Sequence, residues 1–239
     1  MEIELFSGSA KAIIDPQGAW LTNLSDEYGD ILYPKRTLKT PHGDVKVRGG
    51  CHVCLPNFGS GGASGLAQHG FGRSALWEII TQTGDTVQLE LPPKDGEYEG
   101  LEAALLYTLT PRSLKVELKI KNSGTIDLRV APAFHPYFAI DKGEKDVKVN
   151  HKRRELNELN EAEFVYTAGV ATLKSTRRKM PLKIESPELS VFALWTDQLG
   201  EYVCVEPTLA GFSFLQSKPA GNEIVAAAES RSFAMTISW

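Results

Sequence analysis

The chain has 239 residues, 42% of them hydrophobic and 23% charged, with a formal net charge of −4. A chain of that size can bury roughly 70–75% of its unfolded surface, so it needs no disulfide or metal staple and is too apolar for global disorder. Its basic residues gather only at Lys152-Arg153-Arg154 and Arg177-Arg178-Lys179, which excludes the electrostatic footprint of a DNA- or RNA-binding protein.

The opening Met1-Glu2-Ile3-Glu4-Leu5 alternates like a strand and has no basic region followed by an apolar run. No secretory leader is expected, and no stretch is apolar enough to span a bilayer. The three cysteines cannot all pair with one another, which points to a reduced, cytoplasmic protein. All-β sandwiches of this size form one domain, so a single domain over residues 1–239 is expected.

The first chemistry-bearing stretch begins at Arg48-Gly49-Gly50 and runs into Cys51-His52-Val53-Cys54. In one extended strand Arg48 and His52 share a face, with the two glycines permitting close backbone approach. Cys51 and Cys54 are then an odd number of residues apart and point to opposite faces, so they cannot chelate one ion. They read as buried free thiols.

Pro56 ends that strand, and Gly59-Ser60-Gly61-Gly62-Ala63-Ser64-Gly65 reads as a mobile flap. It lacks the Gly-Lys-Ser/Thr ending and the following amphipathic helix of a phosphate loop. Next comes Gln68-His69-Gly70-Phe71-Gly72-Arg73, which in extended form places His69, Phe71 and Arg73 on one face.

Strands are expected over Val87–Leu91, Ala103–Leu109 and Leu128–Ala133. Leu114, Val116, Leu118 and Ile120 alternate with charged neighbours and predict another. His135 lies in the aromatic strand Phe134-His135-Pro136-Tyr137-Phe138, where a core histidine is the commoner reading than a catalyst. Arg154–Phe164 is a weak helical candidate with only two apolar anchors and reads as a short turn or loop helix. Val191–Trp195 and Gly211–Leu215 read as strands, and Phe233, Met235, Ile237 and Trp239 alternate as a last one.

Tyr202-Val203-Cys204-Val205-Glu206 is apolar on both faces, as a doubly covered central strand requires. Glu206 ends it, and Pro207 holds Glu206 extended. A carboxylate at that point is costly without a partner, which makes Glu206 a functional candidate. Many strands without long helices between them predict an all-β protein, a large antiparallel β-sandwich.

Taken together, Arg48-Gly49-Gly50, Cys54-Leu55-Pro56-Asn57-Phe58-Gly59, His69-Gly70-Phe71-Gly72-Arg73, His135-x-Tyr137-Phe138 and Val205-Glu206-Pro207 resemble the aldose 1-epimerase superfamily. Its hexose-6-phosphate mutarotase branch is the most similar. The resemblance spans Arg48 to Pro207, and departs from the family at His52, where proline is more usual, and at Asn57.

It implies a β-sandwich with a sugar groove, no cofactor and no metal. His135 would be the general acid, Glu206 the general base, and His69 a group orienting the sugar. Arg48 and Arg73 would hold the substrate phosphate, and Asp197, after Trp195-Thr196, would join the site. Phe71, Tyr137 or Trp77 could stack on the sugar ring. The expected partner is a small-molecule sugar or sugar phosphate, with no nucleic acid and no membrane, on a monomer or weak dimer. An epimerase acting on a free sugar, and a catalytically silent sugar-binding sandwich, are the alternatives.

Overall fold

A computed structural model describes residues 2–239. Among them lie two nine-stranded sheets and two short two-stranded pairs, with every strand pairing antiparallel. Among the described residues no helix is long and apolar enough to cross a membrane.

The second sheet runs in the order Lys152–Glu155, Asp146–Val149, Val170–Lys174, Leu182–Glu185, Ser230–Ser238, Ser113–Asn122, Leu101–Thr110, Thr86–Glu90 and Glu78–Gln82. Its long strands alternate buried and exposed residues, because one face meets the core and the other meets water. That is the pattern the charged alternation around Leu114–Ile120 predicts.

The first sheet carries three adjacent strands, Cys51–Cys54, Ala133–Ala139 and Tyr202–Thr208, in which every residue is buried. Alternation sorts their side chains by face. Val53, Phe134, Phe138, Val203 and Val205 join the apolar cluster that continues into the second sheet. Cys54, Ala133, Tyr137 and Cys204 belong to smaller clusters on the opposite face. Cys51 lies in the first cluster and Cys54 in another, as their odd separation requires. All three cysteines are free and buried.

Arg154–Phe164, expected as a short turn or loop helix, holds a single 3-10 turn at Leu156–Glu158 between the end of the strand Lys152–Glu155 and the start of the strand Glu163–Tyr166. Two apolar anchors are too few to hold a longer helix against a sheet. Other local expectations are corrected. Gly211–Leu215 is not a strand, since Ser213–Leu215 forms a 3-10 turn. Leu128–Ala133 divides into Leu128–Arg129 and the start of Ala133–Ala139. Glu206 does not end its strand, which continues through Pro207 to Thr208.

Proline donates no hydrogen to a ladder and belongs at sheet edges, yet Pro136 and Pro207 sit in two neighbouring central strands. Each follows a candidate catalytic residue. A proline forces the residue before it into extended backbone, so the two prolines together fix the backbone of His135 and Glu206 at the cost of ladder bonds.

Candidate functional site

The register that pairs Ala133 with Thr208 and Tyr137 with Cys204 sets His135 opposite Glu206. On the other side His135 is paired directly with His52. His52, His135 and Glu206 therefore form a row across three strands, on the face turned away from the main core, and all three are buried.

His135 Nε2 lies 3.2 Å from Glu206 Oε2, a close approach whose angle falls short of a hydrogen bond, since Glu206 Oε2 has no such partner. Burial pushes the Glu206 carboxyl well above its ordinary range. Burial also pushes His135 well below the ordinary imidazole value, and His52, His69, Arg73 and Arg48 push the same way. Both shifts favour the uncharged forms, a protonated carboxyl beside a neutral imidazole, with one proton between the two groups.

His69 comes from the loop rather than from a strand. The expected extended segment is a turn: His69 and Gly70 have φ of 63° and 68°, and Ala75 N–H donates to Phe71 O at 3.0 Å. His69 N–H donates to Gly59 O at 2.7 Å, Gly59 N–H donates to His69 Nδ1 at 3.2 Å, and Asn57 Nδ2 donates to Gly59 O at 2.9 Å. These bonds pin the neck of the glycine-rich loop that the sequence reads as a mobile flap. Burial, followed by Arg73 and Arg48, lowers His69 to about 3, so it stays neutral.

The turn separates residues expected on one face. His69 and Arg73 both line the cavity above the row, whereas Phe71 packs against the core and meets Tyr98 at 5.5 Å between ring centroids.

Arg48 reaches the same cavity by another route. The expected continuous strand from Arg48 to His52 is broken: Val45–Arg48 pairs with Arg36–Lys39 in a separate hairpin, and Gly49 and Gly50 turn the chain with φ of 101° and 67°. A Cβ on Gly50 would stand 2.1 Å from Leu21 O, so only glycine fits. Arg48 Nε donates to Asp197 Oδ2 at 2.9 Å, and Asp197 Oδ1 accepts the Tyr202 hydroxyl. Asp197 thus holds Arg48 from behind and is not among the cavity's lining residues. Burial acts to lower the Arg48 pKa, but Tyr137, Asp197 and Tyr202 outweigh it and raise it.

The cavity encloses about 300 Å³ and is lined by Lys46, Arg48, Phe58, Gln68, His69, Arg73, His135, Tyr137, Ala162, Trp195, Glu206 and Phe212. Its floor is the His135–Glu206 pair, its wall is aromatic, and the three cations Lys46, Arg48 and Arg73 also line it. Lys46 and Arg73 take part in no ion pair among the described residues, while Arg48 is matched by Asp197. The guanidinium carbon of Arg48 sits 5.3 Å from the centre of the Trp195 ring.

Sequence reasoning missed Lys46, Phe58, Gln68, Ala162, Trp195 and Phe212. Lys46 alone had a usable signal, since it precedes Arg48 by two residues and shares its face in the hairpin. Of the aromatics named for stacking, Tyr137 lines the cavity; Trp77 is buried in the core, its Nε1 donating to Gly72 O at 2.8 Å.

His135, Cys204 and Glu206 also present ligand atoms within 4.8 Å of one another. Burial and Glu206 hold the Cys204 thiol well above its ordinary pKa. A protonated thiol is a poor metal ligand.

The profile of the family described as aldose 1-epimerase matches residues 1–214. The chain belongs to the aldose 1-epimerase family. A Salmonella typhimurium protein carrying the description "Putative glucose-6-phosphate 1-epimerase" is 28% identical over 150 residues, which are 59% of this chain and 50% of that protein; the chain spans about half the length of the curated relative it matches. Among solved structures, the Slr1438 protein of Synechocystis superposes with a TM-score of 0.78 at 22% identity, covering 100% of this chain and 95% of that one. A galactose mutarotase related enzyme from Lactobacillus acidophilus superposes with a TM-score of 0.79 at 16% identity, covering 100% and 97%. At these identities the two structures establish the galactose mutarotase-like sandwich for this epimerase-family chain.

Proposed function

We propose that this aldose 1-epimerase family member interconverts the α and β anomers of a hexose 6-phosphate. The observation that carries the reading is one cavity holding a buried imidazole–carboxyl pair beside three cations.

Mutarotation needs a group that takes the anomeric hydroxyl proton while another protonates the ring oxygen. The ring opens to the aldehyde, the C1–C2 bond rotates, and closure on the other face returns both protons. His135 and Glu206, sharing one proton, are a donor and an acceptor at every stage, and no net proton enters or leaves. Burial keeps water from competing for the open-chain aldehyde. Trp195, Phe58 and Phe212 supply flat apolar surface for the sugar's C–H face, and the His69 ring offers a hydrogen bond to a hydroxyl.

A phosphate meets Arg73 and Lys46, neither of which is neutralised by a carboxylate, together with Arg48, which Asp197 holds in place. Arginine can grip two phosphate oxygens in parallel, which a neutral hydroxymethyl cannot exploit. A hydrogen bond to a charged group is worth about 1.5–3 kcal/mol. Arg48→Ala and Arg73→Ala should each lower kcat/KM on the phosphorylated sugar by about 10- to 100-fold. Most of that loss should appear in KM, because the contact is remote from the reacting atoms. Activity on the matched free hexose should hardly change. Equal losses on both substrates would assign the arginines to pocket structure and favour a free sugar, which is the reading that the neutralised Arg48 supports.

A further inference from the structure

Trp20 precedes the stretch that carries the family resemblance and does not line the cavity, yet it bears on two of the cavity's cations. It opens the strand Trp20–Asp26, whose Leu21 pairs with Cys51. Antiparallel pairing then sets Trp20 opposite His52, so the indole continues the buried row one strand further, on the face turned away from the main core. The side chain is buried and meets the His52 ring edge-on, with centroids 4.5 Å apart.

Its Nε1 donates to Gly49 O at 3.0 Å. Gly49 follows Arg48 directly, in the turn that carries the chain from the hairpin into the first sheet, with φ of 101°. A buried indole N–H needs an acceptor, and a buried carbonyl left bare is costly. The bond therefore holds the turn, and the turn delivers Arg48.

The ring of Trp20 meets the other arginine. The guanidinium carbon of Arg73 lies 5.4 Å from the ring centre, a cation–π contact that orients a side chain with no carboxylate partner among the described residues. The backbone is pinned at the same place. Gly18 N–H donates to Ala75 O at 2.6 Å, and a Cβ on Gly18 would stand 2.2 Å from Arg73 O. Lys35 also sits 4.5 Å from the Trp20 ring centre, but it is paired with Asp15 at 3.3 Å.

We propose that Trp20 is a positioning residue that fixes Arg48 and Arg73 together, the indole N–H acting on Arg48 through Gly49 and the indole face acting on Arg73. The phosphate proposed above then meets two preset guanidiniums. Asp197 and Trp195 meet Arg48; Trp20 acts on both arginines. The proposal rests on the phosphate reading only for its kinetic consequence, since both contacts belong to the free protein.

Protons over an indole face are shifted upfield by its ring current. In NMR spectra of the free wild type the Arg73 Hδ and Hε signals should lie upfield, move to ordinary positions in Trp20→Leu, and stay partly upfield in Trp20→Phe, which keeps a ring and loses the N–H. Wild-type Arg73 signals at ordinary positions would overturn the proposal, and this reading needs no variant to fold. So would signals unmoved in a folded Trp20→Leu.

A cation–π contact and a neutral hydrogen bond are each worth about 2- to 10-fold in affinity. Trp20→Leu should therefore raise KM for hexose 6-phosphate by about 5- to 50-fold, with kcat changing far less, and Trp20→Phe should raise it less. In a protein already carrying Arg48→Ala and Arg73→Ala, Trp20→Leu should add almost nothing to KM, because it acts through side chains no longer present. The full loss in that background, or a loss confined to kcat, would overturn the proposal and assign Trp20 to the floor beside His52. Shifted Arg73 signals in a protein whose arginine variants lose equally on phosphorylated and free hexose would instead retain Trp20's role and remove the phosphate reading.

Discussion

At the scale of single residues, the site depends on two groups displaced in opposite directions from their ordinary pKa values. Glu206 is raised and His135 lowered, each chiefly by burial. The pair works while it holds one proton. Lowering the pH ends activity when His135 takes a second proton, and its depressed pKa delays that below the ordinary imidazole range. Raising the pH ends it when Glu206 loses its proton, and its elevated pKa delays that above the ordinary carboxyl range. His69, at about 3, adds no charge within that window. The kcat/KM profile, which reports the free enzyme, should therefore hold its plateau to below the unperturbed imidazole value of ~6.5. Its limbs belong to the pair rather than to either residue. Initial rates corrected for spontaneous mutarotation test this; an acid limb centred near an ordinary imidazole would contradict it.

At the scale of elements, the chain changes sheet between Arg48 and Cys51, and Gly50 makes that possible. Gly50→Ala places a Cβ 2.1 Å from Leu21 O in a backbone of φ +67°, combining left-handed strain of about 1–3 kcal/mol with a clash against backbone that cannot yield. Gly43, in the hairpin turn, has φ +92° and nothing within 4 Å of its would-be Cβ. Thermal melts should show Gly50→Ala lowering Tm by well over twice the shift of Gly43→Ala, and equal shifts would mean that the sheet crossing is not tight.

This crossing also marks how far the sequence can be read. Period-2 alternation reveals strands such as Ser113–Asn122 because one face meets water. It misleads across Arg48–His52 and His69–Arg73, where positive φ values break the period while leaving the residue types strand-like. Arg48, His69 and Arg73 still reach the cavity, by turns rather than by the shared strand faces that the alternation predicts. Pro207 was legible as a constraint on Glu206, but the matching role of Pro136 beside His135 inside a central strand was not, because proline ordinarily marks an edge.

At the scale of the whole molecule, the architecture explains why the site is where it is. The first sheet has its three central strands covered on both faces, by the second sheet below and by loops and the Arg36–Arg48 hairpin above. A polar row on the upper face is therefore shielded without weakening the main core. The cavity wall draws on Lys46, Phe58, Ala162, Trp195 and Phe212, which are far apart in the chain. No local pattern could assemble them; they meet only once the sheets are formed.

The central claim is that His135 and Glu206 together exchange anomers. The most direct measurement is two-dimensional exchange NMR on an equilibrium mixture of hexose 6-phosphate anomers, with the wild type, His135→Ala, Glu206→Gln and the double variant, each checked for wild-type folding by its amide spectrum. A positioned acid or base contributes roughly 10²–10⁴ in rate. The wild type should drive exchange far above the spontaneous rate, each single variant should lose about that factor, and the double variant should lose far less than the product of the two. A folded wild type that leaves the exchange rate at its spontaneous value, or folded single variants that keep the full rate, would contradict the account.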